Sequence, residues 1–256
     1  MRAKQSLGQN FLMHQKTADR IADVAGLGPD SVVLEIGPGT GMLTKALLER
    51  AGKVVAVEAD HELIPALQET FAKEMGEGRL ELVEGDIRSF ELGVLPNGYV
   101  VVANIPYYIT GEIIRRLLSA PHKPASVTLL VQKEVAVRIV RDPKESLLSL
   151  SVKVYGTPKY AFTVPRGAFL PAPKVDSAVL HVAEITHPFP SIREEERFFE
   201  VLHAGFAHKR KRLAKNLEAV APAATIAETL VRLGLSKDVR AEEVPLPAWL
   251  ALATAL

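Results

Sequence analysis

The chain has 256 residues, of which 48% are hydrophobic and 24% charged, so it encodes a globular protein rather than a disordered one. It has no cysteine, which excludes disulfides, thiolate metal ligands and a cysteine nucleophile. The formal net charge of +1 identifies no partner, so any contact with nucleic acid must come from local clusters of basic residues. There is no signal-peptide core and no apolar run of transmembrane length, and we expect a cytoplasmic protein.

Apolar strands alternate with amphipathic helices over the first half of the chain, which predicts a doubly wound, mostly parallel α/β sheet. The predicted strands are 32–36, 53–58, 80–83, 99–103 and 127–131. The predicted helices are 15–25, 43–48, 61–75 and 110–119.

The pattern changes after residue 131. It predicts a helix over 134–140 and further strands over 147–154 and 175–182, some of them antiparallel. The segment His187-Pro188-Phe189-Pro190 is typical of a linker. It divides a larger domain, residues 1–186, from a small helical domain, residues 187–256. The helices predicted in the small domain are 194–206, 209–219, 225–233 and 247–256.

Asn104 and Tyr107 follow the apolar strand that ends at Ala103, with Pro106 stopping the strand between them. Open α/β sheets bind ligands at this carboxyl edge. An amide oxygen that accepts hydrogen bonds, beside an aromatic ring that stacks, suits a flat nitrogenous base. An ordinary Asn/Pro turn would explain the same residues.

Three glycines, Gly37, Gly39 and Gly41, lie between a predicted strand and a predicted helix. Glu58 lies about 20 residues further on, at the end of the next strand, where a carboxylate accepts hydrogen bonds from ribose hydroxyls. A dinucleotide-binding fingerprint is the alternative, but the position of its third glycine holds Met42.

The run Glu35–Gly41 resembles the first motif of the S-adenosylmethionine-dependent methyltransferases. The whole chain resembles the bacterial small-subunit ribosomal RNA adenine dimethyltransferases, whose loss gives kasugamycin resistance. The segments that carry this resemblance are Gln9-Asn10-Phe11-Leu12, Glu35–Gly41, Glu58, Glu84-Gly85-Asp86, Asn104-Ile105-Pro106-Tyr107, Pro171–Ser177 and Phe206–Leu217.

The resemblance implies a Rossmann-like methyltransferase domain followed by a helical domain that binds RNA or the ribosome. It implies S-adenosylmethionine as cofactor and no metal. The residues that would line the cofactor site are Asn10, Leu12, Gly37, Glu58, Asp86 and Asn104, together with Gly39 of the glycine motif. Asn104 and Tyr107 would be the catalytic pair, and Tyr107 would also contact the target base.

The reaction implied is methylation of N6 of two adjacent adenosines near the 3′ end of 16S rRNA, within the small subunit or its precursor, by a monomeric enzyme. We expect the Asn104 side-chain oxygen and a nearby backbone carbonyl to accept hydrogen bonds from the two N6 hydrogens. Tyr107 would stack on the base. The chain departs from the family's usual pattern at Gln15, Tyr108 and Arg212, which affects substrate detail rather than reaction class.

The basic segment Lys209-Arg210-Lys211-Arg212 lies on a predicted helix, and no acidic residue interrupts it. A solvated helix face would explain it, but we expect a surface that contacts RNA phosphates. Arg2 and Lys4 would add to that surface.

Other functions remain open at this level. The closest is the methyltransferase class that modifies an adenine of large-subunit RNA and confers macrolide resistance. A DNA adenine or protein-glutamine N-methyltransferase would share the Asn-Pro-x-Tyr type of turn. A non-catalytic RNA-binding assembly factor could keep the same fold, but it would be expected to have a degenerate glycine loop or to lack Asn104.

Overall fold

The computed structural model describes residues 9–256, so the predictions made for Arg2 and Lys4 lie outside the described residues. The chain forms two compact units. One contains the residues up to 137 together with 156–186, and the other contains residues 138–155 and 187–256. The boundary predicted after residue 186 stays a prediction, and the contacts add that 138–155 groups with the C-terminal helices.

The strands within residues 9–256 are β1 (Phe11–Leu12), β2 (Val32–Ile36), β3 (Lys53–Glu58), β4 (Leu80–Glu84), β5 (Val100–Asn104), β6 (Ser126–Gln132), β7 (Thr157–Val164), β8 (Phe169–Leu170) and β9 (Ser177–Ala183). The α-helices of the same residues are α1 (Gln15–Val24), α2 (Met42–Leu48), α3 (Ile64–Thr70), α4 (Ala72–Gly76), α5 (Thr110–Ser119), α6 (Lys133–Val140), α7 (Leu147–Lys153), α8 (Ile192–Phe206), α9 (Leu213–Leu217), α10 (Ala223–Arg232) and α11 (Leu246–Ala255).

Seven strands form one sheet in the order β4-β3-β2-β5-β6-β9-β7. Neighbours from β4 to β6 run parallel, whereas β9 pairs antiparallel with both β6 and β7. The prediction of a doubly wound, mostly parallel sheet is confirmed. Strand β7 was not predicted. The chain passes from β2 toward β3 on one side, and β5 returns to the other side, so the strand order reverses between β2 and β5.

The parallel strands are apolar on both faces because both faces are buried. Val33, Leu34, Val101 and Val102 have no exposed surface. A separate two-stranded sheet pairs β1 with β8, with Phe11 opposite Leu170 and Leu12 opposite Phe169. This small sheet fixes the segment that precedes α1.

The strand predicted over 147–154 is wrong, because these residues form α7. The Ser146 side chain accepts a hydrogen bond from the Ser149 N–H over 3.0 Å and begins the helix. The Ser151 hydroxyl donates to the Leu147 carbonyl over 2.7 Å. The hydroxyls of these serines form hydrogen bonds within the helix, so serines can occupy buried positions there. The alternation of leucine and serine in this segment therefore does not indicate the buried and exposed faces of a strand.

The helix predicted over 61–75 is interrupted. Helix α3 begins at Ile64, with a proline in its first turn, and Phe71 departs from helical geometry at φ −112° and ψ 23° before α4. The ring of Phe71 packs against Gly41, where an added Cβ would come within 2.5 Å of it.

The second unit is helical and includes α7. The Tyr155 ring, just after α7, stacks on Phe199 of α8 at 6.1 Å between ring centroids. The Glu145 N–H donates to the Glu242 carbonyl over 2.8 Å. Helices α8 and α11 cross at Gly205, where an added Cβ would lie 2.3 Å from the fully buried Trp249. A glycine is therefore needed at this crossing.

Candidate active site

A cavity opens at the carboxyl ends of β2 and β5, where the strand order reverses. Five segments line it, and they are residues 9–12, 36–43 without Gly41, 57–59, 85–88 and 104–109. Each segment follows a strand of the sheet or belongs to β1. The cavity therefore collects the side chains that the sequence placed at successive strand ends.

The glycine loop turns sharply between β2 and α2. Gly37, Gly39 and Gly41 have φ values of +69°, +61° and +81°, in the left-handed region that other L-residues rarely adopt. The Gly39 N–H donates to a Glu58 carboxylate oxygen over 3.0 Å. The loop backbone is thus tied to the end of β3 and forms a closely fitted wall of the cavity.

Glu58 is 5% exposed and holds two backbone donors. Oε2 accepts from Gly39, and Oε1 accepts from the Asp60 N–H over 2.9 Å. Burial raises the pKa of Glu58, and these N–H groups oppose the rise. Each carboxylate oxygen has a second lone pair, so Glu58 can accept further hydrogen bonds from a ligand while its orientation stays fixed.

Asp86 also lines the cavity, but its carboxylate is paired with Arg88. Arg88 Nε lies 3.0 Å from both Asp86 oxygens, and Nη2 lies 2.5 Å from Oδ2. The Arg88 N–H donates to Oδ1 over 2.8 Å. The Arg88 side chain therefore lowers the pKa of Asp86. Arg88 was not predicted to line the cavity.

Asn104 ends β5 and donates its side-chain amide to the Asn10 backbone carbonyl over 3.0 Å. A carbonyl only accepts hydrogen bonds, so the amide nitrogen faces Asn10. The Asn104 Oδ1 atom has no partner within residues 9–256 and is left as an acceptor. The polypeptide thus fixes which end of the amide is available to a ligand.

Tyr107 lies in a short 3₁₀ turn just after Pro106 and is half-buried. Its hydroxyl shares a 2.5 Å hydrogen bond with the Ser177 hydroxyl. Burial raises the pKa of Tyr107, so the phenol is neutral at physiological pH. The adjacent Tyr108 is 66% exposed at the cavity.

Glu35, the first residue of the glycine motif, does not line the cavity. It is fully buried, and neither carboxylate oxygen has a hydrogen-bond partner within residues 9–256. Burial raises the pKa of Glu35 to about 8, and the nearby Glu58 carboxylate adds to the rise. Phe11 lies in the cavity wall.

The structure brings together every predicted residue of the cofactor and base sites. The residues concerned, which all line this cavity, are Asn10, Leu12, Gly37, Gly39, Glu58, Asp86, Asn104 and Tyr107. Their roles stay predictions. Within residues 9–256, no group of three or more His, Asp or Glu side chains could hold a metal ion. No helix in that range is both long and apolar enough to cross a membrane.

The predicted basic residues lie in the second unit, on a turn rather than on the predicted helix. Helix α8 ends at Phe206, α9 starts at Leu213, and all four basic side chains between them are exposed; they are Lys209, Arg210, Lys211 and Arg212. Arg212 lies 3.0 Å from Asp238. We call residues 208–212 the basic loop.

Asn216 explains why the helix predicted over 209–219 does not form as a whole. Its buried side-chain amide donates to the Gly205 carbonyl over 2.6 Å and to the His208 carbonyl over 3.1 Å. The Leu213 N–H donates to the Val239 carbonyl over 2.8 Å. These bonds hold the chain in a turn and leave the charges of the basic loop in solvent.

Residues 1–256 match the family described as ribosomal RNA adenine dimethylase. This chain belongs to that family. A relative from Deinococcus radiodurans is 40% identical over 261 residues, covering 100% of this chain and 86% of the relative. A relative from Listeria welshimeri is 37% identical over 271 residues, covering 99% and 90%. Both are named ribosomal RNA small subunit methyltransferase A.

Two solved structures share the fold of this chain. The 23S rRNA methyltransferase ErmE is 31% identical, with a TM-score of 0.77, over 96% of this chain and 99% of that one. A dimethyladenosine transferase from Plasmodium falciparum is 27% identical, with a TM-score of 0.81, over 94% and 95%. This chain is therefore similar to proteins named for different ribosomal RNAs.

Proposed function

We propose that this chain is an S-adenosylmethionine-dependent ribosomal RNA (adenine-N6,N6)-dimethyltransferase. Its substrate is 16S rRNA within the small subunit or its precursor. It converts two adjacent adenosines near the 3′ end to N6,N6-dimethyladenosine. The observation that carries this proposal is the Asn104 side chain, which is held by the Asn10 carbonyl at the edge of the glycine-loop cavity with Oδ1 left as an acceptor.

The cavity suits S-adenosylmethionine on the chemistry of its walls. Glu58 is a buried carboxylate that two backbone N–H groups orient, as hydrogen bonding to two ribose hydroxyls requires. A Cβ added at Gly39 would lie 3.0 Å from the Phe11 ring, so the loop fits closely around the space beside it. The residues that would hold the cofactor are Asn10, Leu12, Gly37, Gly39, Glu58, Asp86 and Asn104. When bound, it supplies an electrophilic methyl group.

Asp86 fits the adenine amino group if its carboxylate accepts from this group as well as from Arg88. Two carboxylate oxygens offer about four acceptor positions, and Arg88 makes two contacts with each oxygen, so binding of the adenine amino group at Asp86 requires one of the Arg88 side-chain contacts to be released. The Arg88 pairing keeps Asp86 ionised, because it lowers the pKa. Arg88 would thus keep Asp86 a hydrogen-bond acceptor.

Asn104 would activate the target nitrogen by orientation. The N6 lone pair of adenine is delocalised into the ring, which makes N6 a poor nucleophile. When the Asn104 Oδ1 atom and the Ile105 carbonyl accept the two N6 hydrogens, the nitrogen becomes more pyramidal and its lone pair points out of the ring plane. Tyr107 would stack on the base, and such contacts contribute about 1–3 kcal/mol. Alignment of donor and acceptor supplies the rest.

No general base is required during attack, since N6 carries a positive charge once it has gained a methyl group and then readily loses one proton to solvent. No histidine lines the cavity. The amide of Asn104 can also accept from a nitrogen that carries one hydrogen, so the same residue would serve the second transfer.

The basic loop is the proposed contact with RNA phosphates. Lys209, Arg210 and Lys211 are exposed. Arg212, in contrast, is paired with Asp238. Basic side chains that neutralise phosphates release counterions, which makes binding dependent on salt. The proposal places the enzyme in the cytoplasm, where ribosomal subunits assemble, and as a monomer.

A large-subunit RNA methyltransferase is the second candidate, because ErmE has the same fold at 31% identity. The relatives at 37–40% identity are named for the small subunit, which favours the first candidate.

The test is methyl transfer from labelled S-adenosylmethionine to unmethylated small subunits, large subunits and naked RNA, with the product nucleoside identified. We expect N6,N6-dimethyladenosine in the small subunit alone. Label in the large subunit would support the second candidate. Absence of label, with S-adenosylmethionine bound, would indicate a binding factor without activity.

A further inference from the structure

The motif Pro171–Ser177 has no role in the function described so far. It ends at Ser177, the first residue of β9, which has no exposed surface. The Ser177 hydroxyl lies 2.5 Å from the Tyr107 hydroxyl, at the short end of the range for O–H···O hydrogen bonds. The last residue of the motif therefore forms a hydrogen bond with the aromatic side chain that lines the cavity.

Ser177 is firmly held. Strand β9 lies between β6 and β7, and Ser177 is opposite Gln132 on one side and Val164 on the other. The preceding residue, Asp176, accepts hydrogen bonds from two backbone groups. Its carbonyl accepts from the Lys133 N–H over 3.0 Å, and its carboxylate accepts from the Arg166 N–H over 2.9 Å. The pairing of β9 with β6 and β7, together with the hydrogen bonds of Asp176, thus fixes the position of Ser177.

The backbone that carries Tyr107 is held less tightly. The 3₁₀ turn Tyr107–Ile109 contains no buried residue. Its first backbone bond, from the Ile109 N–H to the Pro106 carbonyl, is 3.2 Å long. A tyrosine ring fixed only at Cα can rotate about two side-chain bonds. The hydroxyl oxygen lies on the Cβ–Cγ axis, so its bond to Ser177 fixes the first side-chain torsion angle and the position of the ring, and stacking on a base depends on that position.

We propose that Ser177 is a positioning residue that fixes the position of the Tyr107 ring for stacking on the target adenine. The inference rests on the proposed function, since it concerns how the acceptor base is aligned. The alternative is that the hydroxyl pair only satisfies two buried polar groups and contributes to stability. The two readings differ in what happens when both hydroxyls are removed.

The test is a double-mutant cycle with Ser177→Ala and Tyr107→Phe, each of which removes one hydroxyl and keeps the rest of the site. Methyl transfer to the RNA that the wild type modifies is measured, with kcat and KM determined separately for RNA and for S-adenosylmethionine. We expect each single variant to lower kcat about three- to tenfold, as the loss of one oriented hydrogen bond would. We expect the double variant to be no slower than the slower single variant.

The affinity of Ser177→Ala for S-adenosylmethionine should stay within about twofold of the wild type, because Ser177 does not line the cavity. The RNA KM should change little, because phosphate contacts dominate RNA affinity. Thr128→Val is the matched control. It removes a hydroxyl that bonds His181 across the same two strands, β6 and β9, over 2.9 Å. The midpoint of thermal unfolding is measured for each variant, and all assays are run well below the lowest of these temperatures.

Losses that multiply in the double variant would overturn the inference, as would wild-type rates for Ser177→Ala or an equal loss in Thr128→Val. Any of these outcomes in an active wild-type background leaves the proposed function intact. A wild type that methylates no RNA would overturn the proposed function, and the inference with it. Methylation of large-subunit RNA alone would change the substrate, and the same cycle would be measured on that RNA.

Discussion

Asn104 and Asn10 are 94 residues apart in the sequence and are joined by a 3.0 Å hydrogen bond from the Asn104 amide to the Asn10 carbonyl. This bond settles the orientation of the Asn104 side chain, because the carbonyl cannot donate. The N-terminal segment thereby takes part in the proposed acceptor site as well as in the wall of the cavity. The first prediction concerns this bond.

Asn104→Ala should lower the methyl-transfer rate by at least about 100-fold, because it removes the acceptor that orients N6. Asn104 is at the end of its strand and partly exposed, so the midpoint of thermal unfolding should change little. Asn104→Asp should also be slow, since its carboxylate would face the Asn10 carbonyl without a donor. A rate within about threefold of the wild type for Asn104→Ala would contradict the proposed mechanism.

Glu58→Gln should weaken binding of S-adenosylhomocysteine by about 10- to 100-fold, measured by titration calorimetry. Both Glu58 oxygens accept backbone N–H groups, so an amide nitrogen on either side would place a donor against a donor. The control is Glu84→Gln, at the end of β4, where the side chain is exposed and outside the cavity. Equal affinities for the two variants would remove Glu58 from the cofactor site.

Glu35 should make the stability of the protein depend on pH. Its pKa is raised from 4.5 to about 8 in the folded state, so above pH 4.5 the folded chain retains a proton that the unfolded chain releases. The free energy of unfolding should therefore be highest below this range and fall as pH rises toward 8, by up to about 1.4 kcal/mol per pH unit.

Glu35→Gln is neutral at every pH and should lack this component of the pH dependence. Denaturant unfolding at about pH 5 and pH 8 measures it: the two proteins should be similar at the lower pH, and the Gln variant should be more stable at the higher pH. Glu84→Gln, at an exposed position, should keep the wild-type slope. Parallel pH profiles for the wild type and Glu35→Gln would mean that Glu35 is ionised in the folded protein.

Reversal of Lys209, Arg210 and Lys211 to glutamate should weaken RNA binding and flatten its salt dependence. Each phosphate contact contributes about 0.7–0.9 to the slope of log K against log salt, so the slope should fall by about two to three. The matched control reverses Arg232 and Lys237, which are exposed in the same helical unit. If the basic-loop variant and the control variant both keep the wild-type salt slope, the basic loop does not contact RNA phosphates and is an ordinary solvated surface.

The strand ends of the site could be predicted from the sequence because local patterns determine them. Asn104 and Glu58 each end an apolar strand, and parallel strands bring their carboxyl ends to one edge of the sheet. Ser177 could not be linked to Tyr107 in this way, since the two are 70 residues apart and the contact depends on the antiparallel placement of β9. Arg88 was missed because a surface arginine beside an aspartate has no distinctive pattern.

The errors in secondary structure have the same kind of cause. The basic loop follows a helix that Asn216 ends from 11 residues downstream, through its bond to the Gly205 carbonyl. Helix α7 was predicted as a strand because its serines satisfy their own hydroxyls within the helix. In both places a polar side chain bonds to the backbone, and a pattern of hydrophobic residues does not report such bonds.

The pairing of β1 with β8 has a consequence for how the two reactants meet. Residues 169 and 170 pair with Phe11 and Leu12 in the wall of the cavity, and the same stretch of chain continues to Ser177, which holds Tyr107. One segment of nine residues therefore pairs at one end with residues that line the cavity proposed for the methyl donor, and holds at the other end the ring proposed to stack on the acceptor base. The length of this segment would therefore set the distance between the methyl donor and the acceptor base. A deletion or insertion within it should leave binding of S-adenosylmethionine and binding of RNA intact, but should slow methyl transfer between them.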